Sequence, residues 1–411
     1  MRRYFILCAL FVGLPLGWAD EWETLFDGET LAGWHNPYEW GEAGVENGEI
    51  HLIANRKFFL ATEREFSDFI LEVEFKMPEG ISNSGIQFRS DVGENRVRGY
   101  QAEIDPSPRA WTGGIYGEQW GAWRFQPRSP ANSPSGQAFR TATEDAYKAG
   151  QWNSMRIECL GSRMRVFVNG ILCSDYFDDG RAKGIIALQH HGERGQTYRF
   201  RNIRIKEVEN PSIFGASARL FLDEDFSSAD VSQWKMTDSS AWKISEVDGA
   251  KVLHLHSQSD YTPPVRSPRN ILWLLDDGPD SFVMDVIVKS TGRPIPHRDL
   301  CFFFGKQDDT HFYYAHLAPG ADNVSHMIHA VDGAPRTAIT ANRNDGIDWG
   351  DDWHRIRIER DATSGAIRVY FNDLENPVME ANDSRFIGGG IGIGSFDQSG
   401  YFDQVRIVEV K

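Results

Sequence analysis

The sequence predicts an all-β protein built from two β-sandwich domains in tandem. Three observations predict it: short segments of alternating polarity separated by Gly, Asn, Asp and Pro from Trp22 onward, a strong hairpin signal, and a repetition of the whole pattern in the second half of the chain.

The alternation is clearest in Phe69-Ile-Leu-Glu-Val-Glu-Phe-Lys-Met77, where Leu71, Val73, Phe75 and Met77 share one face and Ile70, Glu72, Glu74 and Lys76 the other. The hairpin is Met164 to Cys173, with Asn169-Gly170 between two apolar runs, because a type I′ turn needs positive φ at both central residues. The repeat runs through three blocks. Trp152-Asn-Ser-Met-Arg-Ile-Glu158, Arg165-Val-Phe-Val-Asn-Gly170 and Phe200-Arg-Asn-Ile-Arg-Ile205 are answered in order by Trp353-His-Arg-Ile-Arg-Ile-Glu359, Arg368-Val-Tyr-Phe-Asn-Asp373 and Phe402-Asp-Gln-Val-Arg-Ile407. Residues 20–208 and 218–411 are therefore expected to be the two sandwiches, joined by a 209–217 linker with Pro, Gly and Ser. Residues 118–150 read as one long irregular insertion rich in Trp, Pro and Ser.

At the start, Met1-Arg2-Arg3 precedes an apolar run and the small-x-small triplet Gly17-Trp18-Ala19, which predicts a signal peptide over residues 1–19 and a periplasmic or extracellular protein. That run is too short for a bilayer span and no other stretch approaches one, so no membrane insertion is expected. Over 411 residues the formal net charge is −16, which repels nucleic-acid phosphate and anionic lipid. After the leader the cysteines are Cys159, Cys173 and Cys301, an odd number without metal-type spacing, expected to be buried thiols.

Four segments of the first half carry polar groups at i and i+2, hence on one face of a strand: Gln87 with Arg89, Gln101 with Glu103, Tyr116 with Glu118, and Gln189 with His191. Their alternate positions, Ile86, Phe88, Ile104, Ile115 and Leu188, are apolar. Any single pair is compatible with an ordinary wet face. Together they include Arg, Glu and His, the groups needed for bidentate hydrogen bonding and proton transfer, and they predict a polar cleft for a hydroxyl-rich ligand. Trp111, Trp120 and Trp123 lie in or beside the insertion, where indoles can stack on a sugar ring or anchor their own loop. There is no G-x-S-x-G elbow, no P-loop and no H-E-x-x-H, which turns attention to acid–base chemistry.

Phe26-Asp-Gly28 with Gly33-Trp34, Asn83-Ser-Gly-Ile-Gln-Phe-Arg89, Gly99-Tyr-Gln-Ala-Glu-Ile104, Gly114-Ile-Tyr-Gly-Glu118, Leu188-Gln-His-His-Gly192 and Phe200-Arg-Asn-Ile-Arg-Ile205 resemble the 3-keto-disaccharide hydrolase domain family. The resemblance covers about residues 21–208 and implies a concanavalin A-like jelly roll acting on an oxidised di- or oligosaccharide. It implies a glycoside hydrolase that removes the acidified C2 proton of a 3-keto sugar, expels the aglycone and adds water. On that resemblance Glu103 is the base, Arg89 stabilises the enediolate, His191 protonates the leaving oxygen or binds the ketone, and Glu118 with Tyr116 orients the sugar or supplies a second carboxyl. Gln87, Gln101, Gln189, Trp120 and Trp123 are the expected substrate contacts. Two positions depart from the plainest family pattern: Gly117 replaces an acidic residue, and Gln101-x-Glu103 reverses a Glu-x-Gln order.

Other readings remain open from the residues. Glu103 and Glu118 have the chemistry of a two-carboxylate glycosidase. His191 and the carboxylates are of a type to ligate a divalent metal ion, so no cofactor is assigned and the metal question stays unknown. The second half keeps the frame but loses the polar set, with Phe302-Phe-Phe-Gly305 where Ile86-Gln-Phe-Arg89 stood. Its His311, His316, His326, His329 and Trp349 are expected to line a sugar-binding groove or decorate a surface. The alternative for the whole chain is a non-catalytic glycan-binding or protein-interaction module of the laminin-G-like type.

Overall fold

The computed structural model describes residues 22–80, 82–120, 126–128, 131–227 and 230–411. The expected signal peptide and Trp123 lie outside the described residues. Among the described residues no helix is long and apolar enough to cross a membrane.

Four antiparallel sheets carry the chain, of eight and six strands from the first half and nine and seven from the second. In the first half, Phe69–Lys76 pairs with Asn153–Leu160 on one side and Thr197–Glu207 on the other. In the second, Phe282–Ser290 sits in the same way between His354–Asp361 and Gly400–Val410. The facing sheets also match. Phe58–Phe66, Gly184–His190, Ser84–Gly93, Arg96–Ile104 and Ile115–Glu118 follow one another across the first. Asn270–Gly278, Gly389–Ser395, Leu300–Asp308, His311–Leu317 and Met327–Asp332 do so in the second. The sequence repeat is thus a repeat of strand order and pairing.

Each pair of sheets closes on its own apolar core. Leu71, Val73, Phe75, Ile86, Phe88, Ile104, Ile115 and Leu188 meet in the first, and Met284, Val286, Phe302, Phe304, Ile391 and Ile393 in the second. Phe69–Lys76 alternates strictly between buried and half-buried residues, as its sequence pattern requires. The hairpin forms with Val168 opposite Ile171 and with φ of 50° at Asn169 and 86° at Gly170, the positive values a primed turn needs. The three cysteines are free and buried.

The insertion is not irregular throughout. Pro134–Thr143 is an α-helix capped by Ser133, whose hydroxyl accepts from the Gly136 N–H at 3.2 Å, with Pro134 opening the first turn. Ala138 on this helix packs with Val252, Ile287 and Trp353 of the second half, so the insertion is a docking element between the sandwiches. Beside it a buried ion-pair network crosses the junction. Asp175 accepts from Arg357 Nη1 at 2.5 Å and from Arg163 Nη2 at 2.6 Å, and its backbone carbonyl accepts from Arg357 Nη2 at 2.7 Å. Arg357 Nε also donates to Asp285 at 2.8 Å. The two arginines hold the Asp175 carboxyl far below the ordinary carboxylate range against the opposing effect of burial.

Removing one partner of such a network leaves buried charge without compensation. Asp175→Ala is expected to lower unfolding stability by about 3–5 kcal/mol, read as a shift of the urea midpoint. A variant as stable as the parent would mean that Arg357 and Arg163 do not depend on this carboxylate.

Candidate active site

The pleat of the six-stranded sheet sends alternate residues to the core and to an open face, and on that face the sheet forms a cleft of about 380 Å³. That is within the size of ordinary small-ligand sites. Strand register assembles its floor. Gly85 lies opposite Glu103, Gln87 opposite Gln101, and Gln101 opposite Tyr116, so residues distant in sequence come side by side. Three of the four polar pairs expected from the sequence, Gln101 with Glu103, Tyr116 with Glu118 and Gln189 with His191, line this cleft.

Glu103 is its chemical centre. The carboxyl is 3% exposed, with Oε1 accepting from Asn83 Nδ2 and Oε2 from Gln101 Nε2, both at 2.7 Å. Gln101 Oε1 in turn accepts from Gln87 Nε2 at 2.7 Å and Gln189 Nε2 at 3.1 Å, which fixes its amide N–H toward Glu103. Gly85 makes this possible, because a Cβ there would run into the Gln101 side chain. Burial pushes the Glu103 carboxyl up to about 7. The donors from Asn83 and Gln101 and the charge of Arg109 pull the other way and lose to desolvation.

Charged groups ring this carboxyl. Arg109 reaches Glu103 Oε1 at 3.4 Å while its Nε donates to Asp105 at 2.5 Å. Glu118 is buried and accepts from the half-exposed Lys57 at 2.6 Å. His191 stands at the rim, with Nδ1 at 2.8 Å from Glu193, which also accepts from the Tyr198 hydroxyl at 2.5 Å. Gly192 lets this turn lie against the Arg56-Lys57 backbone, where a Cβ would come within 2.9 Å. Burial first, and then the charges of Glu118 and Glu103, raise the Tyr116 phenol above its ordinary value.

Three expected site residues, Arg89, Gln87 and Trp120, are not among the described residues that line the cleft. Arg89 has φ of 44° at a register break between Phe88 and Asp91, and the bulge turns its side chain away from the cleft. Its guanidinium is spent on the Ser67 and Gly161 carbonyls at 2.9 and 2.7 Å and on Asp68 at 3.1 Å. Arg89 is therefore a buried clasp. Gln87 is fully buried one layer below, where it supports Gln101 and accepts from Ser90 at 2.8 Å. Trp120 packs edge-on against the core-facing Tyr100, ring centres 4.8 Å apart, and Trp111 is buried. Asn83, Lys57, Arg109 and Glu193 join the site without having been singled out as site residues in the sequence. Asn83 alone had a signal, its place in the Asn83-Ser-Gly motif.

Residues 21–206 match the model of a family described as the 3-keto-alpha-glucoside-1,2-lyase-like domain. The match falls on the first sandwich. The matched residues include the cleft and all of its titratable groups. No curated protein matches the chain. Among solved structures, the chain is similar to the carbohydrate-binding module CBM66 of Bacillus subtilis (17% identity, 43% of this chain and 96% of that chain, TM-score 0.33). It is also similar to domain 4 of an extracellular arabinanase from Geobacillus stearothermophilus (14%, 47% and 93%, TM-score 0.32). A third is a β-1,3-glucanase from Mycobacterium marinum (15%, 46% and 98%, TM-score 0.31).

A carboxyl raised by burial also tilts stability with pH. Between about 4.5 and about 7 the unfolded chain has released the Glu103 proton and the folded chain still holds it, so folding loses stability as pH rises. The stability difference between Glu103→Gln and the parent should shift in favour of the variant by about 3 kcal/mol from pH 4.5 to 8, measured by urea unfolding. A difference independent of pH would contradict the burial argument.

Proposed function

We propose that the cleft of the lyase-like domain cleaves glycosides oxidised to a ketone at C3. The observation that carries this reading is Glu103, a dry carboxyl poised near neutrality on the floor of a polar, sugar-sized cleft. A ketone at C3 acidifies the C2 hydrogen. Glu103 takes that proton, and the C–H electron pair passes into the enolate of C2 and C3. The enolate then expels the aglycone from C1, the C1–O electrons leaving with oxygen, and water adding at C1 with return of a proton to C2 completes hydrolysis.

Arg109 and Lys57 are the cations able to face the developing enolate, in place of Arg89. His191, steadied by Glu193, is the group at the rim suited to give a proton to the leaving oxygen. Tyr116 and Gln189 offer hydrogen bonds to sugar hydroxyls. The basic Met1-Arg2-Arg3 start and its apolar run support action outside the cytoplasm.

One observation favours a second reading. Glu118 is ion-paired to Lys57 while Glu103 is pushed up by burial, and unlike carboxyls are what a conventional glycosidase uses. Incubating the protein with a 3-keto-disaccharide and its unoxidised parent, with and without EDTA, separates the two. The expected result is cleavage of the keto compound alone; cleavage of the parent supports the two-carboxylate glycosidase, and cleavage of neither supports a glycan-binding module. With the keto substrate, Glu103→Gln is expected to lower kcat/KM by about 10²–10⁴. Because the base must be ionised, kcat/KM of the parent should fall as pH drops through about 7; a profile flat from pH 5 to 8 would exclude Glu103 as the base.

A further inference from the structure

The second sandwich has its own cluster at the place where the first keeps its carboxyl. Cys301 lies opposite His316, Phe303 opposite Tyr314, and Tyr314 opposite His329, which repeats the Gly85–Glu103, Gln87–Gln101 and Gln101–Tyr116 pairings. Counting along the strands, Asp299, Cys301, His316 and His329 occupy the positions of Asn83, Gly85, Glu103 and Tyr116. Most of the residues expected at a groove or surface are buried here. His316, His326, His329 and Trp349 are buried, and of the five residues only His311 is half-exposed.

Among the described residues, Asp299, Cys301 and His316 form the one group whose ligand atoms all lie within 4.8 Å of one another. Cys301 Sγ is 3.3 Å and His316 Nε2 3.5 Å from Asp299 Oδ2. Those separations match the edges of a tetrahedron with bonds of zinc length, about 3.3–3.8 Å. Two further facts point to a bound ligand. His316 Nδ1 lies 3.0 Å from the Val324 carbonyl, which only accepts, so Nδ1 carries the proton and the Nε2 lone pair faces the cluster. His316 Nε2 and Asp299 Oδ1 are buried without a hydrogen-bond partner, in residues 4% and 0% exposed. Around them the Phe396 N–H donates to Asp299 Oδ2 at 2.6 Å, and the Phe396 ring stacks on His316. This is the outer support that holds metal ligands in place.

We propose that Asp299, Cys301 and His316 bind a divalent cation of borderline-soft character, zinc foremost. A thiolate with an imidazole and one carboxylate suits zinc and disfavours calcium and magnesium, which take oxygen ligands. Binding replaces the Cys301 S–H proton with an S–M bond and releases that proton to solvent. The site is distinct from the Glu103 cleft, so it does not depend on the function proposed there.

Cobalt(II) is the probe. Full-length protein stripped with EDTA and titrated with Co²⁺ is expected to take up one ion per chain and to show a thiolate-to-cobalt charge-transfer band in the near ultraviolet. Cys301→Ser should abolish the band, and Glu103→Gln should leave it unchanged. His316→Gln keeps the thiol and should weaken cobalt binding about tenfold or more, which serves as the test if Cys301→Ser does not fold. Failure of the parent to bind cobalt, a band that survives Cys301→Ser, or unaltered affinity in His316→Gln each overturns the proposal.

Discussion

Desolvation of one carboxyl, Glu103, is the constraint from which the candidate site takes its character. Strand pleating places Gln101 and Glu103 on the open face while Tyr100, Ala102 and Ile104 enter the core, so the polar floor cannot move without exposing apolar residues. Amide donors aimed at Glu103 favour its charge, yet burial outweighs them and leaves it near neutrality. A carboxyl better solvated here would be a weaker base, and one less well hydrogen-bonded would remain protonated. Gly85 matters for the same reason, since only a residue without a Cβ leaves Gln101 room to bridge the amides to the carboxylate.

The second sandwich uses the same frame with different side chains. Tyr314, whose hydroxyl accepts from Arg336 at 3.0 Å, stands where Gln101 bridges the amides, and the glycine position is free to hold Cys301. An amide-supported carboxyl has become a thiol–imidazole–carboxyl cluster closed over by Phe396. Duplication kept the backbone register, because register is tied to two buried cores, and allowed the open face to change its donor atoms. The Pro134–Thr143 helix and the Asp175–Arg357 contact then bind the two halves into one body.

Most of the fold was legible because strand alternation and the Asn169-Gly170 turn are local signals, and because the repeat restates them. The helix was not, although Ser133-Pro134 is an N-terminal capping signal, since its apolar face is split, Phe139 packing into the first core and Ala138 against the second sandwich. Period two accounts for the six residues of the four polar pairs that line the cleft, leaves Gln87 buried beneath it, and fails at Arg89, where a bulge turns the side chain away. Lys57 and Arg109 enter from the ends of strands and from a loop, where no periodicity operates. His316, His326 and His329 are buried rather than lining a groove or a surface, which the polarity of histidine alone does not reveal: in the fold His316 and His329 pack against aromatic rings.

Proton removal from C2 is the step of the proposed reaction that isotope exchange reads directly. On the proposed route, cleavage of a 3-keto-disaccharide in D₂O, with a reaction lacking protein as control, should place one deuterium at C2 of the released keto sugar, because a proton taken by Glu103 would be replaced from solvent. Release of keto sugar with hydrogen retained at C2 would contradict the elimination route and return the cleft to a glycosidase that never touches that bond.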